Sequence, residues 1–140
     1  MNETLKSYRI DEITVGQKAS LSKIITDEHV RKYADLSGDI NPVHLDESYA
    51  KQSRFRKRIA HGMLSAGLFS SIFGTKLPGE GCVYVSQNLN FKRPVYIGDS
   101  VIATVTVQAI NSVTQKVLFD TICTVMNKKV IVGSAEIFIP

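Results

Sequence analysis

The sequence lacks the features of secreted, membrane-spanning and disulfide-rich proteins. Among 140 residues there are two cysteines, Cys82 and Cys123, and no CxxC pair, so a disulfide framework is excluded. The most apolar stretches, 63–73 and 130–140, are shorter than the ~20 residues that span a bilayer. The N-terminal dozen residues contain no apolar signal segment. We therefore expect a cytoplasmic protein with free thiols and no membrane partner, folded as one domain over 1–140.

Acidic residues are absent between Glu47 and Glu80, although the whole chain is only mildly basic. It has 17 Lys+Arg against 13 Asp+Glu, a net charge of +4. Five cations lie within eight residues: Lys51, Arg54, Arg56, Lys57 and Arg58. This basic segment is either a ligand-steering surface or a solvated loop. Nucleic-acid binding is not favoured, because only Phe55 interrupts the basic run and the predicted strands carry no aromatic stacking platform.

The second half of the chain alternates between apolar and polar residues with a period of two, which is typical of β-strands. The alternation places Val83 and Val85 on one strand face with Leu89 and Phe91. Together with an earlier β-branched segment, the pattern predicts strands over 19–25, 82–91, 101–107, 117–125 and 130–139. The intervening turns are short, which favours antiparallel neighbours.

The first half contains two predicted helices. Thr26 is a candidate N-cap before acidic residues, and the helix that follows runs to about Leu36 and ends at Gly38. A shorter helix begins at Asp46 or Glu47 and runs through residue 52.

The segment 63–73 is apolar around nearly its whole helical circumference, diluted only by glycine and serine. Such a helix is expected to be buried on nearly all sides. One buried helix followed by four antiparallel strands, with another strand before it, predicts an α+β fold in which an antiparallel sheet wraps around a central apolar helix.

The segment 33–46 has the sequence YADLSGDINPVHLD and carries the candidate chemistry. Its Gly38, Asn41 and Pro42 predict an irregular loop. Asp39 and His44 lie five residues apart, ~16 Å in an extended chain, but a turn can bring them within one water of each other. An acid and an imidazole that share a water form a general acid–base pair. The alternative is a structural turn in which the acid only caps backbone donors.

This segment resembles the hydratase-2 motif, Y-x-x-x-S-G-D-x-N-P-x-H-x-D, of the MaoC-like dehydratases, which include the (R)-specific enoyl-CoA hydratases. The segment 61–64, HGML, is similar to the family's His-Gly-Met at the start of its central helix. The segment 91–99, FKRPVYIGD, is similar to the family's Phe-x-x-Pro-Val-x-x-Gly-Asp turn. The resemblance covers roughly residues 13–139 and implies a single hotdog fold.

The resemblance also implies site residues. Asp39 and His44 match the catalytic pair that holds the water, and the backbone N–H of Gly62 matches the group that receives the thioester carbonyl. Ser70 matches a serine beside the pair on the central helix. Asn41 matches the motif asparagine, which we interpret as fixing the loop, and we count it with Gly62 and Ser70 among the substrate-binding residues.

Several further residues have a structural and a functional interpretation. Met63 is first a core residue and second a substrate-binding residue in the acyl pocket. His61 is interpreted as a helix-entry residue whose ring bonds to a backbone group. His29, His44 and His61 lack the spacing of zinc motifs, so we expect no metal. Lys57 and Arg58 stand where the family has proline, which puts the shape of that loop in question.

The implied activity is a hydro-lyase reaction, the reversible hydration of trans-2-enoyl-CoA to (R)-3-hydroxyacyl-CoA without a cofactor. The alternatives are a 3-hydroxyacyl-acyl carrier protein dehydratase, a hotdog acyl thioesterase and a non-catalytic thioester-binding module. The resemblance implies a homodimer or higher homo-oligomer. The basic segment lies in sequence between the loop of Asp39 and His44 and the helix start at Gly62. If the chain binds CoA, we expect this segment at the rim of the site, where it would attract the CoA phosphates.

Overall fold

A six-stranded antiparallel sheet curves around one long helix in the computed structural model, which describes residues 4–140. The strands are β1 Lys18–Ile24, β2 Val83–Gln87, β3 Asn90–Phe91, β4 Ser100–Asn111, β5 Lys116–Val125 and β6 Lys128–Phe138. They pair in the order β1-β4-β5-β6-β2, and β3 also pairs with β6. The helices are α1 Asp27–Ser37, α2 Pro42–Leu45, α3 Glu47–Gln52 and α4 Gly62–Thr75. This confirms the predicted α+β class and the hotdog arrangement.

The helix α4 packs on the concave face of the sheet. Its inward residues are buried: Ser65, Ala66, Leu68, Phe69, Ile72 and Phe73. The ring of Phe73 meets that of Phe119 on β5 edge-on, with the centroids 4.8 Å apart. Truncating a buried phenylalanine typically costs about 3–5 kcal/mol of the free energy of unfolding, so this contact is a major part of the core.

One side of α4 is not buried, contrary to the sequence prediction. Met63 is 54% exposed, and Gly67 and Ser70 are exposed as well. The apolar pattern around the helix therefore predicted more burial than α4 has in a single chain. The sheet covers only one side of α4 in a single chain, and the uncovered residues line cavities described below.

The helix termini agree with the predicted capping signals. The Thr26 hydroxyl accepts a hydrogen bond from the backbone N–H of His29 at 3.2 Å. Gly38 ends α1 in the left-handed region, with φ at 79°, a conformation that costs glycine little. Asp46 caps α3 by accepting from the N–H of Tyr49 at 3.1 Å.

The predicted long strand over 82–91 is divided into β2 and β3. Asn88 lies between them, and its side chain donates to the Ser134 hydroxyl and accepts from the Ser134 N–H. A Cβ at Gly133 would lie 2.0 Å from the Asn88 carbonyl oxygen, so the two backbones approach closely here. Val83 and Val85 are both exposed on this edge strand, so the apolar alternation of β2 does not mark a buried face in the single chain.

Both cysteines are free thiols, as expected. Cys123 is buried on β5, and this burial raises its pKa to about 12. Cys82 is half-buried and comes just before β2 rather than within a strand. None of the helices described between residues 4 and 140 is long and apolar enough to cross a membrane.

Candidate active site

The segment after α1 is ordered by a series of side-chain to backbone hydrogen bonds. The Ser37 hydroxyl accepts from the N–H of Asp39 at 3.1 Å, and the Asp39 carboxylate accepts from the N–H of Asn41 at 3.2 Å. The Asn41 side chain accepts from the N–H of Val43 at 3.3 Å and so caps α2. The predicted irregular loop is therefore partly wrong, because His44 lies in a one-turn helix.

His44 is 7% exposed and held in one orientation. Its Nδ1 lies 2.7 Å from the carbonyl oxygen of Ile59. Because a carbonyl only accepts, Nδ1 carries the proton and Nε2 keeps its lone pair. Burial lowers the pKa of His44; the bond to Ile59 opposes this, His61 lowers it further and Asp39 raises it. The ring is thus a neutral base at neutral pH.

Asp39 and His44 lie close together, as a turn between them allows. A carboxylate oxygen of Asp39, a ring nitrogen of His44 and one of His61 all lie within 4.8 Å of one another. Two hydrogen bonds of usual length that meet at one water span about 4.5 Å. The exposed carboxylate and the buried imidazole can therefore hold a single water between them.

His61 connects the two members of this pair. It is 2% exposed, and its Nε2 lies 3.0 Å from the backbone carbonyl oxygen of Asp39. Its ring stacks on that of His44 with the centroids 3.9 Å apart and meets the ring of Tyr33 at 4.7 Å. The expectation of a ring bonded to a backbone group is confirmed. The sequence signal for a site role was its position next to Gly62, but the contact across 22 residues was not foreseeable.

The cluster of Asp39, His44 and His61 does not have the geometry of a zinc site. The imidazole rings are stacked with 28° between their planes, so one ion cannot lie in the plane of both rings near both nitrogens. Each ring also directs one nitrogen at a backbone carbonyl. The absence of a metal stays a prediction.

Gly62 begins α4 and faces the same cavity as His44, a space of about 450 Å³. As the first helical residue it has no acceptor for its N–H within the helix, and it lies at the positive end of the helix dipole. A Cβ at Gly62 would lie 2.5 Å from Cε1 of Phe91. A larger residue here would therefore displace the Phe91 ring, a contact that sequence reasoning missed, and glycine also lets a ligand approach the N–H closely.

The mouth of this cavity is positively charged. Arg54, Lys92 and Arg93 line it, and within residues 4–140 none of its lining residues is acidic. Arg93 is held by a bond from its Nη1 to the carbonyl oxygen of Lys129 at 2.7 Å. Of the five cations of the basic segment, Arg54 is the only one that lines the cavity in the described part of the chain. Arg54 therefore lies at the rim of the site, as expected. The side chain of Arg58 is instead mostly buried and pairs with Asp27.

The remaining predicted site residues are not all at this cavity. Met63 lines it and also lines a second cavity of about 420 Å³ between α4 and β2. Ser70 lines only the second cavity, two helical turns from Gly62, so its placement beside the dyad stays a prediction. Asn41 lines neither cavity, and its contact is the cap of α2.

Comparisons with known proteins show the family of the chain. Residues 11–129 match the MaoC-like domain family. The chain is 50% identical over 133 residues to an (R)-specific enoyl-CoA hydratase of Rhodospirillum rubrum, covering 95% of this chain and 92% of that protein. It is 39% identical to a 3-hydroxybutyryl-CoA dehydratase of Methylorubrum extorquens, covering 97% and 87%. Among solved structures, the R-hydratase PhaJ1 from Pseudomonas aeruginosa superposes with a TM-score of 0.92 at 39% identity, covering 97% of this chain and 88% of that one. This chain therefore belongs to the MaoC-like domain family and has its hotdog fold.

Proposed function

We propose that this chain catalyses the reversible hydration of trans-2-enoyl-CoA to (R)-3-hydroxyacyl-CoA. The main support is that Asp39 and His44 lie close enough to hold one water between them. His44 also lines the same cavity as Gly62, whose N–H is the candidate donor to the thioester oxygen. The names of the R. rubrum and M. extorquens relatives support this hydro-lyase assignment.

The dyad would manage both proton transfers. One proton leaves the held water as its oxygen bonds to C3 of the enoyl thioester, and one proton bonds to C2, so that the elements of water add across the double bond. The lone pair on Nε2 of His44 suits the first transfer. Because Asp39 and His44 share the water, both transfers occur on one face of the substrate, which gives one stereoisomer. Any pKa seen in kinetics belongs to the pair if the two groups couple strongly.

The negative charge that develops on the thioester oxygen would be stabilised by Gly62. Its N–H is free of intrahelical acceptors and directed outward at the N-terminus of α4. Loss of one such donor typically lowers the rate about 10²–10³-fold. No cofactor is needed for this scheme.

CoA is the thioester carrier that the charge distribution favours. CoA bears several phosphate charges, and the cavity mouth offers Arg54, Lys92 and Arg93. The alternative is dehydration of a 3-hydroxyacyl group on acyl carrier protein, which the same dyad would perform. A thioesterase is less well supported, because Asp39 and His44 stand in the hydratase motif and the relatives at 50% and 39% identity are named as a hydratase and a dehydratase.

We also propose a homodimer, joined along β2. Within residues 4–140 this strand pairs with β6 on one side only. Its exposed apolar residues are Val83, Tyr84 and Val85. An unpaired edge with apolar side chains is a template for pairing with another strand.

The cytoplasmic location stays a prediction.

The direct test is to mix the purified protein with crotonyl-CoA and follow the loss of the enoyl thioester absorbance. The product should be (R)-3-hydroxybutyryl-CoA by chiral chromatography. Formation of the (S) product or release of free CoA would contradict the proposal. Turnover of crotonyl-acyl carrier protein but not of crotonyl-CoA would support the alternative carrier.

A further inference from the structure

Arg58 is the member of the basic segment whose side chain lies inside the protein, at 12% exposure. Its Nε–H donates to the backbone carbonyl oxygen of His44 at 2.7 Å. Its Nη2 pairs with a carboxylate oxygen of Asp27, the first residue of α1. One guanidinium thus contacts the start of one helix and the backbone of the candidate catalytic histidine.

The next residue, Ile59, adds two more bonds to the same short helix. Its N–H donates to the carbonyl oxygen of Val43 at 3.2 Å. Its own carbonyl oxygen accepts from Nδ1 of His44. The dipeptide 58–59 therefore contacts both the backbone and the ring of His44.

These external bonds matter because α2 has only four residues. A helix of one turn is not stable by itself, and its last carbonyls have no intrahelical partners. Arg58 supplies the partner for the carbonyl of His44. Without it, α2 would keep the Asn41 cap and its two bonds with Ile59, but the His44 carbonyl would lose its donor.

Arginine suits this place better than lysine would. A planar guanidinium has donors that point in different directions, so it can serve a carbonyl and a carboxylate at once. Asp27 also pairs with Arg31 at 3.0 Å. Both bonds lower the pKa of Asp27, with the bond to Arg58 as the larger cause. Arg31 shares the carboxylate but, within residues 4–140, makes no hydrogen bond to His44.

We propose that Arg58 is a positioning residue for the hydration reaction. It holds α2 against residue 59, so that Nδ1–H of His44 stays on the Ile59 carbonyl and Nε2 stays directed at the water. It touches neither water nor substrate and acts only through His44. This inference rests on the proposed function.

The test compares Arg58→Met, which keeps the apolar stem without the donors, with Arg31→Met, which removes the other partner of Asp27. Arg58→Met should lower kcat about tenfold or more while KM changes less than about twofold, since loss of alignment acts on the chemical step. In ¹⁵N spectra of the imidazoles, the His44 signals should change from one tautomer to a mixture. Arg31→Met should leave kcat and the His44 signals as in the unmodified protein.

The proposal is overturned if Arg58→Met keeps kcat within about twofold, or if Arg31→Met lowers it equally. If Arg58→Met does not fold, Arg58→Lys replaces it: intermediate kcat with altered His44 signals supports the role, and unmodified values for both overturn it. If the unmodified protein does not hydrate crotonyl-CoA, the proposed function fails. The His44 signals still decide whether Arg58 positions the ring.

Discussion

The imidazole of His61 stacks on that of His44 with the ring centroids 3.9 Å apart, and both rings are almost completely buried. Two imidazolium ions at this distance would repel each other in a poorly solvated place. The pair is therefore arranged so that His44 stays neutral, and the bond from Nδ1 to Ile59 leaves Nε2 as the atom that can take a proton.

The first prediction concerns pH. The pKa of His44 is lowered from its usual 6.5, with burial as the largest cause. A base works only when unprotonated, so activity should fall on acidification only below pH 6.5, as the lowered pKa is crossed. Stability should follow the same sign: because the unfolded chain binds the proton more readily, the free energy of unfolding decreases below about pH 6.5. Profiles of kcat and of chemical denaturation between pH 4 and 9 test both, and a kcat that already declines above pH 7 would contradict the assignment.

The second prediction concerns the dyad. Asp39→Asn keeps the acceptor for the N–H of Asn41 but removes the charge, and His44→Ala removes the base. Each should lower kcat on crotonyl-CoA by about 10²–10⁴-fold, the usual contribution of a general acid or base. Asp35→Asn, an exposed acid on α1, is the matched control and should turn over normally. Unmodified turnover in either dyad variant, with circular dichroism showing a folded protein, would refute the mechanism.

Much of the fold could be predicted because it follows local patterns. The four alternating apolar residues of β4 are all buried: Val101, Ala103, Val105 and Val107. The N-cap Thr26 and the terminator Gly38 bound α1 as their conformational preferences require. In β4 and α1 the local sequence preferences and the tertiary contacts favour the same structure.

The rest depends on contacts between distant segments. The break between β2 and β3 comes from Asn88 and Gly133, which are 45 residues apart in sequence. The side chain of Arg58 turns toward the protein interior because it pairs with Asp27, which precedes it by 31 residues in sequence. For α2, the signals were present, an Asn cap followed by Pro42, but a single turn is too short to show helical periodicity.

The third prediction concerns Gly62. Alanine is the better helix former by about 1 kcal/mol, yet its Cβ would lie 2.5 Å from the Phe91 ring. We expect Gly62→Ala to push this half-exposed ring into the cavity and to lower kcat/KM about tenfold, with the double variant Gly62→Ala/Phe91→Ala recovering part of the loss. Steady-state kinetics with melting temperatures as a folding control measure this. Full activity of Gly62→Ala would show that the ring moves without obstructing substrate.

The fourth prediction concerns the charged mouth. Arg54→Glu reverses a charge that lines the cavity, whereas Arg56→Glu makes the same change in net charge at an exposed residue that does not line it. Arg54→Glu should raise KM for crotonyl-CoA several-fold at low salt with kcat little changed, and the difference should shrink at high salt because ions screen exposed charges. Equal effects of the two variants would mean that only the net charge of the basic segment matters.

The fifth prediction concerns the edge strand β2. Val83 and Val85 are exposed at 47% and 45%, although each is a strong β-former that packs well against a partner strand. If two copies join their sheets here, lysines at both positions place like charges in the joint and should convert a dimer into a monomer. Val113→Lys, in the exposed turn after β4, is the control and should stay dimeric. Size-exclusion chromatography with light scattering measures the mass of each variant. A dimer that survives Val83→Lys/Val85→Lys would exclude β2 as the joint, and a monomeric unmodified protein would exclude the dimer itself.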